Sequence, residues 1–573
     1  MKQCPQCSRT YTDETLNFCL DDGEWLLADD EPATAILSEP GAVATRSQGD
    51  ESPTRYQIHT TDKTAVLPAE GTGFNQRSFV RKHSFWFAVG VIALLVAGVF
   101  GYRYFRLEPG DQINSIAVMP FVNESGNPEI EYLSDGMTET LISKLSKVPN
   151  LNVKARASVF RYKGKEADPR VVGKDLGVQA ILNGHLAQTG DQLSITVELI
   201  DTATENVLWS EQYTRKSSEL LSLQSDVAHD VSGRLRNKLS GSDEQNLARN
   251  YTANPVAYDL YLKGRYHWNR RTVDDDRTSL EYFKQAAAAD PGFALAYVGI
   301  SDATLMLGIP DAMAGAVSPA DTIPAARAAA EKAIAIDPNL AEAYASRAHV
   351  RFKERDWAGS ESDFKRSIEL NPNYSYARLF YSVFLAFTGR GDEAINQSKR
   401  AVEADPYSIP INANMSFVYF LTRRPDDAID AGKQAIGYDS SIPLAHQRLG
   451  QAYEQKRMLP EAISEFQTAV DESDRVQLAV ASLAHAYAVS GNKIEAQKLL
   501  TELEDRSKKE YVSPYLLATV YLGLGEKPRA LELLGQAYSE QSIDLLMAKT
   551  DPKLDPIKDD PQFQDLMKKL AFP

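Results

Sequence analysis

The chain begins with residue types that bind zinc. Two residues separate Cys4 from Cys7, eleven separate Cys7 from Cys19, and Asp22 follows three positions later. Two tight turns of this kind point four ligands at one tetrahedral metal. Residues 1–27 are too few to build a hydrophobic core, so the unit should depend on the metal for folding. We therefore predict a structural zinc held by Cys4, Cys7, Cys19 and Asp22.

The fourth position is where this pattern departs from a standard zinc site. Asp22 stands where a zinc ribbon has its last cysteine, and carboxylate oxygen is a poorer zinc ligand. The segment resembles a degenerate zinc ribbon of bacterial signalling proteins, and a metal-free remnant of such a ribbon is the alternative. A catalytic zinc is not expected, because no histidine lies near these residues.

Other chemistry is not indicated by the residue pattern. All three cysteines lie within the first 19 residues, so nucleophilic cysteine chemistry and disulfides are excluded further along the chain. Spacing reveals no Ser/His/Asp set, no paired carboxylates and no kinase, cyclase or hydrolase signature. We predict a protein without catalytic residues, without a small-molecule substrate and without a further cofactor. The net charge of −16 also argues against nucleic-acid binding.

One segment is apolar enough to cross a membrane. Residues 84–102 carry no charge over 19 positions, and aromatic residues lie at both ends. We predict a transmembrane helix over 84–105, with a buried core helix as the alternative. Residues 28–80 have no apolar periodicity and are typical of a disordered linker.

The position of the cysteines favours one orientation in the membrane. All thiols precede the apolar segment, which fits a reducing compartment before it and an oxidising one after it. Three basic residues flank the front end and two the back, a weak bias in the same direction. We predict a single-pass protein of a bacterial inner membrane with a cytoplasmic amino terminus. Residues after 106 would then be periplasmic or otherwise extracytoplasmic.

Residues 107–245 alternate strand and helix patterns and predict an α/β domain of strands near 113–121, 180–188, 193–199 and 207–213. Within it, residues 115–125, 131–137, 155–160 and 208–211 resemble the amino-terminal domain of TolB and the related FlgO-like modules. In that family a kinase, cyclase or DNA-binding domain frequently precedes the membrane. Here only the cysteine unit occupies that place, and the resemblance implies no catalytic residues.

Residues 251–573 repeat with a period of 34. Helix starts are predicted at Ala341, Ser375, Ile409, Pro443, Gln477 and Tyr511. Positions 8 and 20 of every repeat are small, as two closely approaching antiparallel helices require. This pattern resembles tetratricopeptide repeats and predicts an all-α solenoid of about eight repeats. Two earlier repeats contain insertions, including a predicted protruding loop at 308–323, and residues 554–566 predict a polar-faced terminal cap.

In tetratricopeptide proteins, positions 2, 5, 9 and 12 of each first helix face a concave groove. Matching positions here carry apolar, aromatic and polar residues, with one acidic residue, Glu454, and no lysine or arginine, so a clamp for acidic peptide tails is not supported. The alternative is that these side chains pack against the adjacent repeat. The predicted partner-binding residues are Tyr376, Leu379, Val383, Phe417, Phe420, Gln447, Gln451, His485 and Tyr515.

Together these features predict a membrane-anchored scaffold or adaptor that binds peptide or protein partners through its groove. The alternative is a regulatory signal-transduction protein whose zinc-ribbon-like head contacts a cytoplasmic kinase or transcription partner.

Overall fold

The structure is a computed structural model that describes residues 113–148, 150–235, 250–270, 272–308 and 317–573. It also describes the backbone of three short antiparallel strands, β1 (Lys2–Gln3), β2 (Thr10–Tyr11) and β3 (Leu27–Ala28), with β1 in the centre. The predicted zinc ligands, the linker and the predicted membrane span at 84–105 lie outside the described residues. Among those that are described, no helix combines the length and the apolar character needed to cross a bilayer.

A mixed sheet forms the centre of the α/β domain. Its strands run in the order β6-β4-β7-β8-β9, with β4 parallel to β6 and β7, and β7, β8 and β9 antiparallel. The short strand β5 extends the edge of β7. The strands are β4 (Ser115–Val118), β5 (Val122–Asn123), β6 (Asn152–Val153), β7 (Ala180–Thr189), β8 (Gln192–Asp201) and β9 (Val207–Lys216).

The predicted strand at 113–121 is shorter in the structure: β4 ends at Val118, and β5 begins only at Val122, because Pro120 between them has no N–H to donate to a strand ladder. Four helices accompany the sheet, and side chains such as Met137 and Val227 are fully buried in its core. These helices are α1 (Glu131–Leu145), α2 (Arg156–Phe160), α3 (Pro169–Leu176) and α4 (Leu220–Arg234).

Eight helix pairs follow the α/β domain in the described part of the chain. They are α5 (Pro255–Trp268) and α6 (Val273–Ala289), α7 (Ala294–Leu307) and α8 (Pro319–Ile336), α9 (Ala341–Lys353) and α10 (Trp357–Leu370), α11 (Ser375–Thr388) and α12 (Gly391–Ala404), α13 (Ile409–Leu421) and α14 (Pro425–Tyr438), α15 (Pro443–Gln455) and α16 (Leu459–Glu472), α17 (Gln477–Val489) and α18 (Lys493–Ser507), and α19 (Pro514–Leu524) and α20 (Lys527–Ser539).

Five of the six predicted helix starts coincide with observed ones. The sixth helix begins at Pro514 rather than at Tyr511, because proline suits the first helical turn, where its missing N–H has no partner to lose. The predicted loop at 308–323 is corrected at its end. Helix α8 already begins at Pro319, and Ile323 is buried within it, while residues 309–316 lie outside the described residues.

The small residues at positions 8 and 20 lie where the two helices of a pair touch. The hydroxyl of Ser360 donates to the carbonyl of Ala348 at 2.8 Å, and that of Ser416 donates to Ala428 at 2.7 Å. At Gly450, an added Cβ would lie 2.7 Å from the ring of Phe466. The close approach predicted from the sequence is therefore confirmed.

The chain ends in a segment without a further repeat. It comprises two 3₁₀ turns, Ile543–Lys549 and Pro552–Ile557, and helix α21 (Pro561–Leu570). We call residues 543–573 the C-terminal segment. It contacts both α11 and α19, four repeats apart, so it does more than cap the last pair.

Candidate functional site

The first helices of successive pairs pack side by side and form one continuous surface. We call this surface, from α9 to α19, the inner layer. The C-terminal segment lies against it and buries Leu545, Leu546, Leu554 and Ile557. A polypeptide segment of the chain itself therefore already fills the surface on which we predicted partner binding.

The predicted groove residues differ in accessibility. Tyr376 and Val383 are half-buried, whereas the other seven are at most 6% exposed. The prediction of an open groove is therefore corrected at those seven positions, because the C-terminal segment and neighbouring repeats cover them. They are Leu379, Phe417, Phe420, Gln447, Gln451, His485 and Tyr515.

Packing between repeats accounts for part of this burial. The amide of Gln447 donates to Ser482 in the next first helix at 2.8 Å. The guanidinium of Arg448 lies 3.8 Å from the ring centroid of Phe417 and donates to Gln451 at 3.1 Å. The alternative considered for the sequence, packing against the adjacent repeat, thus applies to these residues. Their part in partner binding stays a prediction.

Three ionisable side chains meet beneath the C-terminal segment. Glu454 on α15 lies 2.7 Å from Nδ1 of His485 on α17 and 3.4 Å from Nζ of Lys553. All three side chains are only 8% exposed. Burial by itself raises the pKa of Glu454, but Lys553 and His485 outweigh burial and lower that pKa to about 2. The carboxylate is thus ionised and compensated inside the protein.

This ionic cluster is not a metal site. Across residues 113–573, leaving aside the gaps named above, no three His, Cys, Asp or Glu side chains are placed to hold a metal ion. Its chemistry is that of a socket for an ammonium group. The carboxylate of Glu454 supplies the charge, and the ring of Phe466 lies 5.9 Å from the Lys553 nitrogen.

Further polar bonds anchor the C-terminal segment along its length. The hydroxyl of Tyr515 donates to Asp551 at 2.7 Å. Burial, and next the charge of Asp551, raise the pKa of Tyr515 well above its usual value. Arg423 donates two bonds to Asp555, at 2.8 and 2.9 Å. Because these partners belong to α19 and to the turn after α13, the segment spans several repeats.

Two further contacts link the segment to the repeats that begin at Ala341 and Ser375. Lys549 donates to the carbonyl of Thr388 at 2.8 Å. The ring of Phe572 stacks on Trp357 with centroids 5.2 Å apart. The sequence marked residues 554–566 only as a cap, and no local signal identifies Lys553, which lies 99 positions from Glu454, as its partner.

A second candidate site lies where the α/β domain meets the first repeats. A cavity of about 1320 Å³ is lined by residues of α1 and of the inner ends of α5, α7 and α11. Beside it, Arg265 and Asn269 donate to Glu139. Burial raises the pKa of Glu139, but Arg265 and Arg156 outweigh burial and lower it below its usual value.

On the far side of this cavity, the α/β domain is tied to the loop before α13. Ser158 donates to Asp405 at 3.0 Å, and burial raises the pKa of Asp405 to about 7. Tyr407 donates to Asp175 at 3.0 Å, and the guanidinium of Arg161 lies 4.2 Å from its ring centroid. These contacts fix the orientation of the α/β domain on the repeats.

Two family models match parts of this chain. The model of the tetratricopeptide repeat matches residues 419–475. The model of the second domain of HilA/YgeH-like transcriptional regulators matches residues 112–230. The repeats are therefore tetratricopeptide repeats, as predicted. The likeness of residues 114–240 to TolB and FlgO stays a prediction, because a different model matches there.

Among curated proteins, the chain is 36% identical over 187 residues to "Putative adenylate cyclase 3" of Rhizobium meliloti (strain 1021). The match covers 33% of this chain, and the chain spans about a third of that relative's length (32%). The whole relative's activity therefore does not transfer to this chain.

Several solved structures are similar to this one at low identity. PilF of Pseudomonas aeruginosa is 16% identical, with a TM-score of 0.30, over 38% of this chain and 94% of its own. A monomeric mutant of IFIT1 with Gppp-AAAA is 14% identical, with a TM-score of 0.37, over 76% and 87%. YrrB, described as a tetratricopeptide protein with an unusual peptide-binding site, is 17% identical, with a TM-score of 0.23, over 35% and 95%. Scores this low carry no conclusion about a ligand.

Proposed function

We propose that this protein is a membrane-anchored interaction scaffold whose inner layer binds a polypeptide partner. The observation that supports this most directly is the inner layer itself, a continuous surface of first helices that accepts a polypeptide segment along five repeats. The extended surface of stacked repeats suits polypeptide recognition.

The remaining parts of the proposal concern residues before 113. The apolar segment at 84–105 would hold the scaffold at a bacterial inner membrane, with the repeats outside the cytoplasm. Cys4, Cys7, Cys19 and Asp22 would hold a structural zinc in a cytoplasmic head. Reporter fusions after residue 106 test the orientation, and cytoplasmic reporter activity would contradict it. Metal analysis of the purified chain tests the zinc site in the head, and we expect one zinc ion per chain.

Site-specific photocrosslinking in cells tests partner binding. Substituting Phe417 or Tyr515 is unsuitable, because both side chains are core residues at most 2% exposed. A photoreactive phenylalanine at half-buried Tyr376 is the better probe, and Ile494 on the outer helix α18, 72% exposed, is the matched control. We expect a discrete protein adduct from Tyr376 and none from Ile494. Equal labelling from both positions would contradict the proposal.

A second function is favoured by the comparisons. The matching domain model comes from transcriptional regulators, and the partial relative is named as a cyclase. In this second function the chain transduces a signal, and its head, within residues 1–83, contacts a cytoplasmic kinase or transcription partner. Affinity capture with residues 1–83, against the same head carrying Cys4→Ser and Cys7→Ser, tests this. We expect the unsubstituted head to retain a kinase or transcription factor that the substituted head does not. Identical sets of captured proteins would exclude this second function.

A further inference from the structure

We infer that the C-terminal segment is a built-in competitor ligand of the inner layer. The partner it excludes is then a polypeptide segment that forms the same kind of 3₁₀ turn and presents a lysine with a carboxylate two residues to either side. This inference rests on the proposed function and names the chemistry of its partner. In this chain the sequence with that chemistry is Asp551-Pro-Lys553-Leu-Asp555.

The first argument is the conformation of the segment. Between the last repeat helix and α21 it forms only two short 3₁₀ turns, unlike the helix pairs before it. The hydrogen bonds of 3₁₀ turns have poorer geometry than those of an α-helix, so the position of the segment depends in large part on side chains that reach the repeats. Groove-bound peptides are held in the same way, by side-chain pockets on a preformed surface.

The second argument is the alternation of anchors along the segment. Asp551 accepts from Tyr515, Lys553 enters the socket at Glu454, and Asp555 accepts two bonds from Arg423. Three charged residues at alternate positions thus contact α19, α15 and the turn after α13. The intervening Leu554 is buried against the same surface. This register defines what a competing segment must present.

The third argument concerns specificity. Covering Glu454 with a segment that lacks a cation would leave a buried carboxylate compensated only by His485, and a buried charge that loses its partner is costly. The socket therefore discriminates against purely apolar or acidic segments, which is how unpaired charge produces selectivity. At this socket the inner layer supplies the anion and its occupant supplies the cation, the reverse of a carboxylate clamp.

The fourth argument is the covalent link. Gln541, an exposed residue with φ of 56°, lies in the turn between α20 and the segment. A segment on so short a link competes at an effective concentration of about millimolar. A partner must exceed this competition by higher affinity or higher local concentration, so weak encounters are filtered out.

The test separates the segment from the repeats without deleting it. A protease recognition sequence is inserted after Gln541 in the full chain, and a fluorescent peptide of residues 541–573 is added before and after cleavage. We expect the fluorescence anisotropy of the peptide to rise only after cleavage, as the labelled peptide replaces the resident one. A Lys553→Met peptide should bind roughly thirtyfold or more weakly, because it leaves Glu454 buried and unpaired. A Lys568→Met peptide, altered at an exposed lysine, should bind like the original.

Four results would overturn the inference. Unfolding of the cleaved chain, followed by circular dichroism, would make the segment a fixed part of the fold, and so would retention of the resident segment for days without exchange. Equal binding to the uncleaved chain would show that the peptide binds elsewhere. Equal binding of the Lys553→Met peptide would refute the lysine requirement. Because all peptides come from this chain, these outcomes are independent of whether crosslinking at Tyr376 finds a cellular partner.

Discussion

Replacing Lys553 with methionine tests the ionic cluster that anchors the C-terminal segment. Methionine keeps much of the lysine stem but removes its charge, so Glu454 stays buried with His485 as its remaining partner. The pKa of Glu454 is about 2, against an ordinary glutamate pKa of about 4.3. At about 1.4 kcal/mol per pKa unit, the ionised carboxylate is stabilised by about 3 kcal/mol in the folded chain. Direct measurements of broken buried ion pairs give a similar cost of about 3–5 kcal/mol.

The same cluster predicts a pH dependence. The pKa of Glu454 is lower in the folded than in the unfolded chain, so its contribution to stability is complete above pH of about 4.3. That contribution is lost as the pH falls from about 4.3 through about 2, because the carboxylate must then be protonated. Without Lys553, less opposes the effect of burial, so the pKa of Glu454 in the folded variant should lie nearer to or above its unfolded value, and the acid-induced loss of stability from this group should be smaller than in the parent.

Urea unfolding of the full chain, followed by circular dichroism at pH 7 and along a descending pH series, measures both effects. Lys568→Met is the matched control, since Lys568 is 77% exposed and its pair with Asp565 should contribute less than about 1 kcal/mol. The double variant Glu454→Gln/Lys553→Met should lose less free energy of unfolding than the two single variants lose in sum, because it leaves no unpaired carboxylate. If Lys553→Met costs no more than Lys568→Met, the cluster does not hold the segment and the reasoning fails.

Two further predictions concern the repeats and their junction with the α/β domain. Gly450→Ala should lower the free energy of unfolding by about 1–3 kcal/mol, because its new Cβ would lie 2.7 Å from the Phe466 ring. Gly535→Ala, at an exposed helical site with nothing within 4 Å, should instead stabilise by up to about 1 kcal/mol, and thermal unfolding distinguishes the two. Burial raises the pKa of Asp405 to about 7, so the folded chain binds a proton that the unfolded chain releases, and stability should increase as the pH falls from about 8 towards 4. Asp405→Asn, which keeps an acceptor for Ser158, should flatten that pH dependence in the same urea assay, and an unchanged slope would show that Asp405 is not its source.

The candidate site was predicted only in part. Position counting placed Tyr376 and His485 on the surface of the first helices, where the structure has them. It omitted Arg448, because the rule for groove positions skips position 6 of the helix, although that side chain packs over Phe417 inside the repeats. It also gave no sign that the surface is already filled. Helical spacing reports which residues share a face, but not what covers that face.

The sequence by itself determined the repeats. A period of 34 and small residues where paired helices cross are local properties, and each acts within one repeat or between neighbours. Only the tertiary structure decided what those repeats enclose. Glu454 meets Lys553 and Asp405 meets Ser158 across 99 and 247 positions, because stacked pairs accumulate small rotations that bring distant segments together. No pattern of residues along the chain encodes that accumulated rotation, so the occupant of the inner layer emerged from the fold alone.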